Sequence, residues 1–410
     1  MMIVFPDYTH SSVNLISSVL KYANRCTYHT SLPELDALFA QKSYRNIVLF
    51  LFDGMGLEVL NRHLDSTAFL HKHVLCPLFS VFPPTTTAAT TSLESALTPA
   101  EHGWLGWTLY FPSLDANVNV FPNTFKDTTL QAAPYHVGRK DIPYKSVYEH
   151  INAQTFSGTA QKDENAAHDM QAYSVSRYGT NVTKTAKGMF DEVFRLCSLP
   201  GKKYIYAYHE QPDKIMHISG TYGFLAKNCV QNINRSVQRF CRRLKQNPAA
   251  RDTLVLVTAD HGHIPVRNTE LTRYPDLEHM LRRRPSIEAR AVNFFVKPEY
   301  LNEFPTLFSS FFKTVLPVNL FGTKKLPKAA GQRFETADAE FILFSRKEAA
   351  EMNLFGPGKE HPSLAHSLGD YLAVACSDLT LVDSPKSNHF KSHHAGLTAE
   401  EMIVPLIALP

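Results

Sequence analysis

The chain has 410 residues, of which 44% are hydrophobic and 20% charged. Those fractions exclude an intrinsically disordered chain and do not indicate a membrane protein, and a net charge of +4 is too small to imply nucleic acid binding by itself. At roughly 150 residues per domain the length allows two or three domains, or one large α/β domain carrying an insertion. The stretch before Pro6 and Asp7 has neither a basic region nor an uninterrupted apolar run, so it does not resemble a signal peptide. No apolar run approaches membrane-spanning length. Cys26, Cys76, Cys197, Cys229, Cys241 and Cys376 lack CxxC spacing, which argues against a zinc knuckle or a disulfide framework and predicts reduced thiols in a cytoplasm.

The first predicted element is a helix, with Val13, Ile16, Val19, Leu20 and Ala23 on one face after a capping serine pair. Ser31 and Glu34 have the spacing of a capping box around Pro33 and announce a second helix. Asn46 to Phe52 is a mostly apolar strand that ends at Asp53-Gly54. In Val81 to Leu93, Pro83 and Pro84 fix an extended approach to a helix, which places Thr85, Thr86 and Thr87 at an N-terminus where free amides favour an anion. Simple capping by Thr85 or Thr86 is the structural alternative.

Tyr204 to Tyr208 reads as a further strand, followed by Pro212 and Asp213. Val230, Ile233, Val237, Phe240 and Leu244 then keep the three-and-four spacing of a helix with one buried face. Leu254 to Val257 follows it, a doubly covered strand that runs into Asp260-His261-Gly262. Strand, helix and strand in this order form a βαβ unit with parallel strands, whose carboxyl ends are where open α/β sheets hold ligands.

From about Asn268 to Gly369 the apolar runs shorten and Pro, Lys and Arg become more frequent, the character of an inserted subdomain. Arg282, Arg283 and Arg284 end a predicted helix over Leu277 to Leu281, where cations meet the dipole favourably. Tyr371 to Ala375 and Leu379 to Val382 read as a hairpin or paired strands, and Thr398 caps a last short turn.

Four separated pieces carry potential chemistry: Asp53 at one strand end, Asp213 and His217 four apart, Asp260 and His261 at another strand end, and His393-His394 near the C-terminus. If Pro212 begins a helix, the four-residue spacing puts Asp213 and His217 on one face, within reach of one cation. Oxygen and nitrogen ligands without thiolate suit zinc, manganese or magnesium. Taken singly, each has an ordinary reading as a turn residue, a solvated pair or surface histidines.

Together and in order, these pieces resemble the type I phosphodiesterase and nucleotide pyrophosphatase branch of the alkaline phosphatase superfamily. The motifs are Asp53-Gly54, Phe82-Pro83-Pro84-Thr85-Thr86, Pro99-Ala100-Glu101-His102-Gly103, Asp213 to His217, Asp260-His261-Gly262 and His394-Ala395-Gly396, over about Asn46 to Pro405. The resemblance implies a three-layer α/β/α sandwich, with a catalytic core in 1–267 and 370–410 and an inserted cap in 268–369. It implies Thr86 as nucleophile, with Asp53, Asp260 and His261 on the metal that activates it, and Asp213, His217 and His394 on a second metal. Thr85 and His393 are the alternatives for nucleophile and ligand, and His263 is either behind the ligands or facing substrate.

The implied reaction is hydrolysis of a phosphodiester or nucleotide pyrophosphate bond through a phosphothreonine, with two divalent ions, zinc first and manganese or magnesium as alternatives. Phosphomonoester or phosphonate hydrolysis and a metal-dependent phosphomutase are the alternative activities. The expected partner is a small phosphate ester, without nucleic acid or membrane. One departure stands out: relatives place an asparagine that holds the phosphate where this chain has Trp107, leaving Asn117, Asn119, Asn123 or Lys126 to supply a donor. Trp104 and Trp107, with Tyr110 and Phe111, offer either an aromatic wall or, as the expectation here, core packing.

Overall fold

A computed structural model describes residues 1–153, 170–322, 330–336 and 338–409. Its main sheet has seven strands in the spatial order Val74–Phe79, Ile403–Leu409, Thr253–Thr258, Asn46–Phe52, Lys203–His209, Gln171–Ser176 and Asn181–Val182. Asn46–Phe52 and Thr253–Thr258 are buried along their whole length, as apolar runs covered on both faces must be. Thr253 pairs with Asn46 and Thr258 with Leu51, while Asn46 pairs with Lys203 and Phe52 with His209, all in parallel. This register ends three strands at one edge, and Asp53, Asp260 and Asp213 follow those ends. Ile403–Leu409 returns antiparallel beside Thr253–Thr258.

Helices from two separate groups complete the three-layer α/β/α sandwich. Phe224–Gln246 buries Val230, Ile233, Val237, Phe240 and Leu244, the stripe its spacing predicts, and Phe240 meets Phe50 of the central strand edge-on at 5.2 Å. Ser12–Tyr22, capped by Ser11, packs with Thr86–Ser95 in the other group. The second predicted helix begins differently from expectation. Leu32 is its N-cap, with no side-chain acceptor to cap the helix, and the Ser31 hydroxyl, one residue outside, donates to Asp36 at 2.6 Å.

A second sheet of eight strands runs Thr314–Val315, Phe341–Ser345, Tyr371–Ala375, Ala291–Val296, Leu281–Glu288, Thr108–Phe111, Ala116–Asn119 and Thr124–Phe125. It is therefore broader than the 268–369 stretch, drawing strands from before and after it. Tyr371–Ala375 does not pair with Leu379–Val382; it lies between Ala291–Val296 and Phe341–Ser345, and Leu379–Val382 pairs with Arg267–Glu270. The arginine run lies on a strand and not at a helix end, since the helix stops at His279 and Leu281–Glu288 pairs with Ala291–Val296. Arg282 and Arg284 meet Asp370 and Glu278 at 3.2 and 2.7 Å, and Arg283 lies 3.6 Å over the Tyr110 ring.

Candidate metal centre

The loops at the shared strand edge touch one another through backbone before any side chain is considered. Asp213 N donates to Asp53 O at 2.9 Å, and Gly54 N donates to Asp260 Oδ1 at 3.0 Å. Gly54 has φ +73°, and a Cβ there would stand 2.9 Å from Asp213 Cβ, so the motif glycine is required by close approach as well as by conformation. At Gly262 a Cβ would fall 1.8 Å from Glu400 O, which explains the glycine after Asp260-His261.

Asp53, Asp260 and His261 form a first cluster, with ligand atoms within 4.8 Å of one another. His261 Nδ1 donates to Gly262 O at 2.9 Å, which leaves the Nε2 lone pair facing Asp53 Oδ1 at 3.3 Å and Asp260 Oδ2 at 3.5 Å. Thr86, the first residue of the Thr86–Ser95 helix, places Oγ1 3.2 Å from His261 Nε2 and 3.3 Å from Asp53 Oδ1. Thr85 turns its hydroxyl elsewhere, donating to Glu288 Oε1 at 2.6 Å. The Tyr208 hydroxyl donates to the second Asp53 oxygen.

Asp213, His217, His263 and His394 form a second cluster of the same compactness. Asp213 begins the helix Asp213–Ser219, and one turn later His217 Nε2 stands 3.2 Å from its carboxylate. The outer nitrogens of His217 and His394 donate to Ser392 O at 2.9 Å and Pro84 O at 3.1 Å, turning each Nε2 inward. His263 Nε2 meets Asp213 Oδ1 at 2.7 Å. His393 points its Nδ1 at the His394 amide, 2.9 Å away, and is not part of the cluster. Ala395, which follows, has φ 93°, a backbone that residues other than glycine rarely adopt.

The electrostatics ask for cations. Burial first, and then Asp53, push the Asp260 carboxyl well above the usual range. Burial opposes a charge on His261, but Asp260 and Asp53 outweigh it and raise the imidazole to about 10. Burial would also raise Asp213, yet the His217 charge holds it well below the carboxylate range. Asp260 Oδ2 is buried and, among the described residues, has no hydrogen-bond partner. A divalent ion in each cluster fits this donor set: it satisfies the orphaned oxygen and offsets the crowded carboxylates.

A cavity of about 300 Å³ opens over Thr86 and the second cluster, lined by Trp107, Lys126, Asp213, Glu288, Phe390 and His394 among others. The tryptophans divide: Trp104 packs in the core at 2% exposure, while Trp107 is 42% exposed at the cavity. Of the four candidate donors, Asn117, Asn119 and Asn123 spend their side-chain amides on Pro285 O, Thr124 Oγ1 and Tyr135 O. Lys126 does line the cavity, paired with Asp383 at 2.7 Å. Glu288, which no motif singled out, faces the cavity from the second sheet. Burial pushes its carboxyl up, against the Thr85 hydroxyl and Trp107 amide that bond it.

The profile of the family described as type I phosphodiesterase / nucleotide pyrophosphatase matches residues 47–305. No curated protein sequence matches the chain. Among solved structures, murine ectonucleotide pyrophosphatase / phosphodiesterase 5 is similar at 14% identity and a TM-score of 0.58, covering 88% of this chain and 87% of that one. An inactive threonine-to-alanine form of the murine protein in complex with AMP aligns over the same shares at 14% identity and 0.57. The human counterpart does so at 13% identity and 0.57.

Proposed function

The chain belongs to the type I phosphodiesterase / nucleotide pyrophosphatase family and is a phosphoric ester hydrolase, and we propose that Thr86 is its nucleophile between two metal sites. In this reading Asp53, Thr86, Asp260 and His261 hold one ion and Asp213, His217 and His394 the other, zinc being the metal best matched to the imidazole-rich second set. The observation that carries it is the Thr86 hydroxyl at 3.2 Å from His261 Nε2 and 3.3 Å from Asp53 Oδ1, on the cluster whose Asp260 oxygen lacks a partner.

Divalent ions, when bound, supply the positive charge that makes a threonine alkoxide accessible at neutral pH and offsets the charge of the phosphoryl group. The chain's own residues do the rest. The Thr86–Ser95 helix holds Oγ1 at its N-terminus, where open amides and the dipole favour the phosphoryl oxygens. Oγ1 displaces the leaving alcohol or phosphate from phosphorus in line, giving a phosphothreonine-type ester that still carries the substrate's other group, and water then cleaves the threonine–phosphorus bond to release that monoester and regenerate the hydroxyl. Asp213, held ionised beside His217, would with His394 hold the second ion, whose positive charge would meet the departing oxygen.

Nucleotide esters are included in the proposed substrate class because a relative of this fold has been captured with AMP. Among the described residues no helix is long and apolar enough to cross a membrane, and all six cysteines are free, which favours a reducing compartment such as the cytoplasm. The test is a metal-reconstituted assay that compares aryl phosphodiesters, nucleotide esters and phosphomonoesters with Thr86→Ala as control. Turnover of every ester by Thr86→Ala at the wild-type rate would overturn the assignment of the nucleophile. Stoichiometric isomerisation of a sugar phosphate without phosphate release would replace the hydrolase by a phosphomutase.

A further inference from the structure

Glu34 has the spacing of a capping box with Ser31, yet no such box forms, and its carboxylate faces His10 instead, with Oε1 3.9 Å from His10 Nε2. Oε2 of the same group is buried and, among the described residues, has no hydrogen-bond partner. Cys76 completes the group, and the ligand atoms of the three residues all lie within 4.8 Å of one another. They come from separate pieces of the chain. His10 stands just before the Ser12–Tyr22 helix, Glu34 in the first turn of Pro33–Gln41, and Cys76 on Val74–Phe79, the edge strand of the main sheet. The backbone already holds two of these pieces together, since Phe79 N donates to His10 O at 3.0 Å. None of the three residues lines the cavity over Thr86, so the group stands apart from the metal centre.

At 3.9 Å His10 and Glu34 are too far apart for a hydrogen bond. Ligands on one tetrahedral zinc stand about 3.3–3.8 Å apart, given bonds of about 2.0–2.3 Å. A buried carboxylate oxygen without a donor is costly unless a cation meets it. From these contacts we infer that His10, Glu34 and Cys76 form a third divalent metal site, for a thiophilic ion of the zinc class, which straps the edge strand to the first two helices. An imidazole, a carboxylate and a thiolate suit zinc over magnesium or calcium. The His10 and Glu34 side chains are 28% and 39% exposed, so water supplies the fourth position. Burial, and then Glu34, push the Cys76 thiol up to about 12, so the sulfur gives its proton to solvent as the bond to the metal forms. That cost and the exposure make this the weakest of the three sites, one that dialysis empties while the two buried clusters stay filled.

The experiment titrates the dialysed, full-length protein with zinc and with cobalt(II). Ions are counted beyond whatever dialysis leaves, so the result does not depend on the hydrolase reading. The two clusters beside Thr86 contain no thiol, so a near-ultraviolet thiolate-to-cobalt band reports Cys76. The wild type is expected to take up one further ion per chain and to show that band. Cys76→Ser should lose the band. His10→Ala and Glu34→Gln should weaken the added ion at least about tenfold, with kcat/KM for an aryl phosphodiester within about twofold of wild type. Zinc should also raise the Tm of the wild type and not that of Cys76→Ser, because the ion joins pieces that only the folded chain brings together. His10→Ala and Glu34→Gln change partly exposed side chains and keep the test open should Cys76→Ser fold poorly. Uptake of no further ion by the wild type overturns the inference. So does a band that survives in Cys76→Ser, or an added ion held equally by the wild type, His10→Ala and Glu34→Gln.

Discussion

The imidazole rings of His261 and His394 stack with centroids 3.7 Å apart and planes 20° from parallel, although one belongs to the Asp53 cluster and the other to the Asp213 cluster. Each ring is fixed from outside by a backbone carbonyl, Gly262 O for His261 and Pro84 O for His394. Pro84 lies two residues before Thr86, so the segment that carries the proposed nucleophile also orients a proposed ligand of the second site. The two sites are built as one unit.

His394→Ala is expected to lower metal content from about two ions per chain to about one, and kcat/KM by at least about 10²-fold. His393→Ala, outside the cluster, is expected to retain both ions. Elemental analysis of dialysed protein checks both. Retention of full stoichiometry by His394→Ala with loss in His393→Ala would exchange the two histidines in the assignment.

Thr86→Ala is expected to reduce turnover of an aryl phosphodiester by at least about 10³-fold while leaving metal content near that of wild type, because Asp53, Asp260 and His261 remain. Thr85→Ala removes one of two donors from the Glu288 carboxyl but leaves Oγ1 of Thr86 in place, so its loss should be smaller. Mass spectrometry of acid-quenched wild-type turnover should find the phosphoryl group, with the diester's retained ester group, on the peptide containing Thr86. A phosphorylated Thr85 peptide with an active Thr86→Ala enzyme would move the nucleophile by one residue.

These residues differ in how far the sequence alone reveals them. Asp53 and Asp260 are legible because apolar strands stop just before them, and parallel pairing in matched register brings the end of the strand before Asp213 to the same edge. His217 is legible from helical spacing after Asp213. Glu288 is not, since it reaches the site only because the second sheet folds over it and joins Thr108 through Ile287. The arginine run departs from its local pattern for a related reason: helix propensity near Leu277 is local, whereas pairing with Ala291–Val296 is set by the tertiary fold. Ser31 is not the cap because the helix begins at Pro33, which makes Leu32 the residue at the N-cap position.

His102, in the Pro99 to Gly103 motif, is expected to couple stability to acid. It is fully buried, its Nδ1 accepts from the Trp104 amide at 3.0 Å, and its Nε2 lies 3.0 Å from Ser92 Oγ, so the neutral ring is the one the fold accommodates. Burial lowers its pKa from 6.5 to about 3. Because the folded value lies below the unfolded one, the contribution is complete above pH 6.5 and is lost as pH falls toward 3. At roughly 1.4 kcal/mol per unit the loss approaches about 5 kcal/mol. Urea unfolding of wild type and His102→Asn across this range should give curves that converge toward acid. Parallel curves would remove His102 as the cause.

Arg290 and Glu401 form an ion pair with neither side chain exposed, Nε to Oε1 at 2.7 Å and a second guanidinium nitrogen to Oε2 at 2.8 Å. Arg290 also donates to Leu379 O and Ser377 O, and Glu401 accepts from Gly396 N and the Thr398 hydroxyl. The pair ties the second sheet to the turn that follows His393 and His394, so it sets where that ligand strand lies. Glu401→Leu would leave a buried guanidinium without its counter-charge and is expected to cost about 3–5 kcal/mol. Arg290→Met combined with Glu401→Leu removes both charges and should cost less than Glu401→Leu alone, a non-additivity that denaturant unfolding measures directly. If the pair also positions the metal site, the single variant should lose the second ion at chelator concentrations that leave wild type loaded. Equal chelator sensitivity would confine Arg290 and Glu401 to stability.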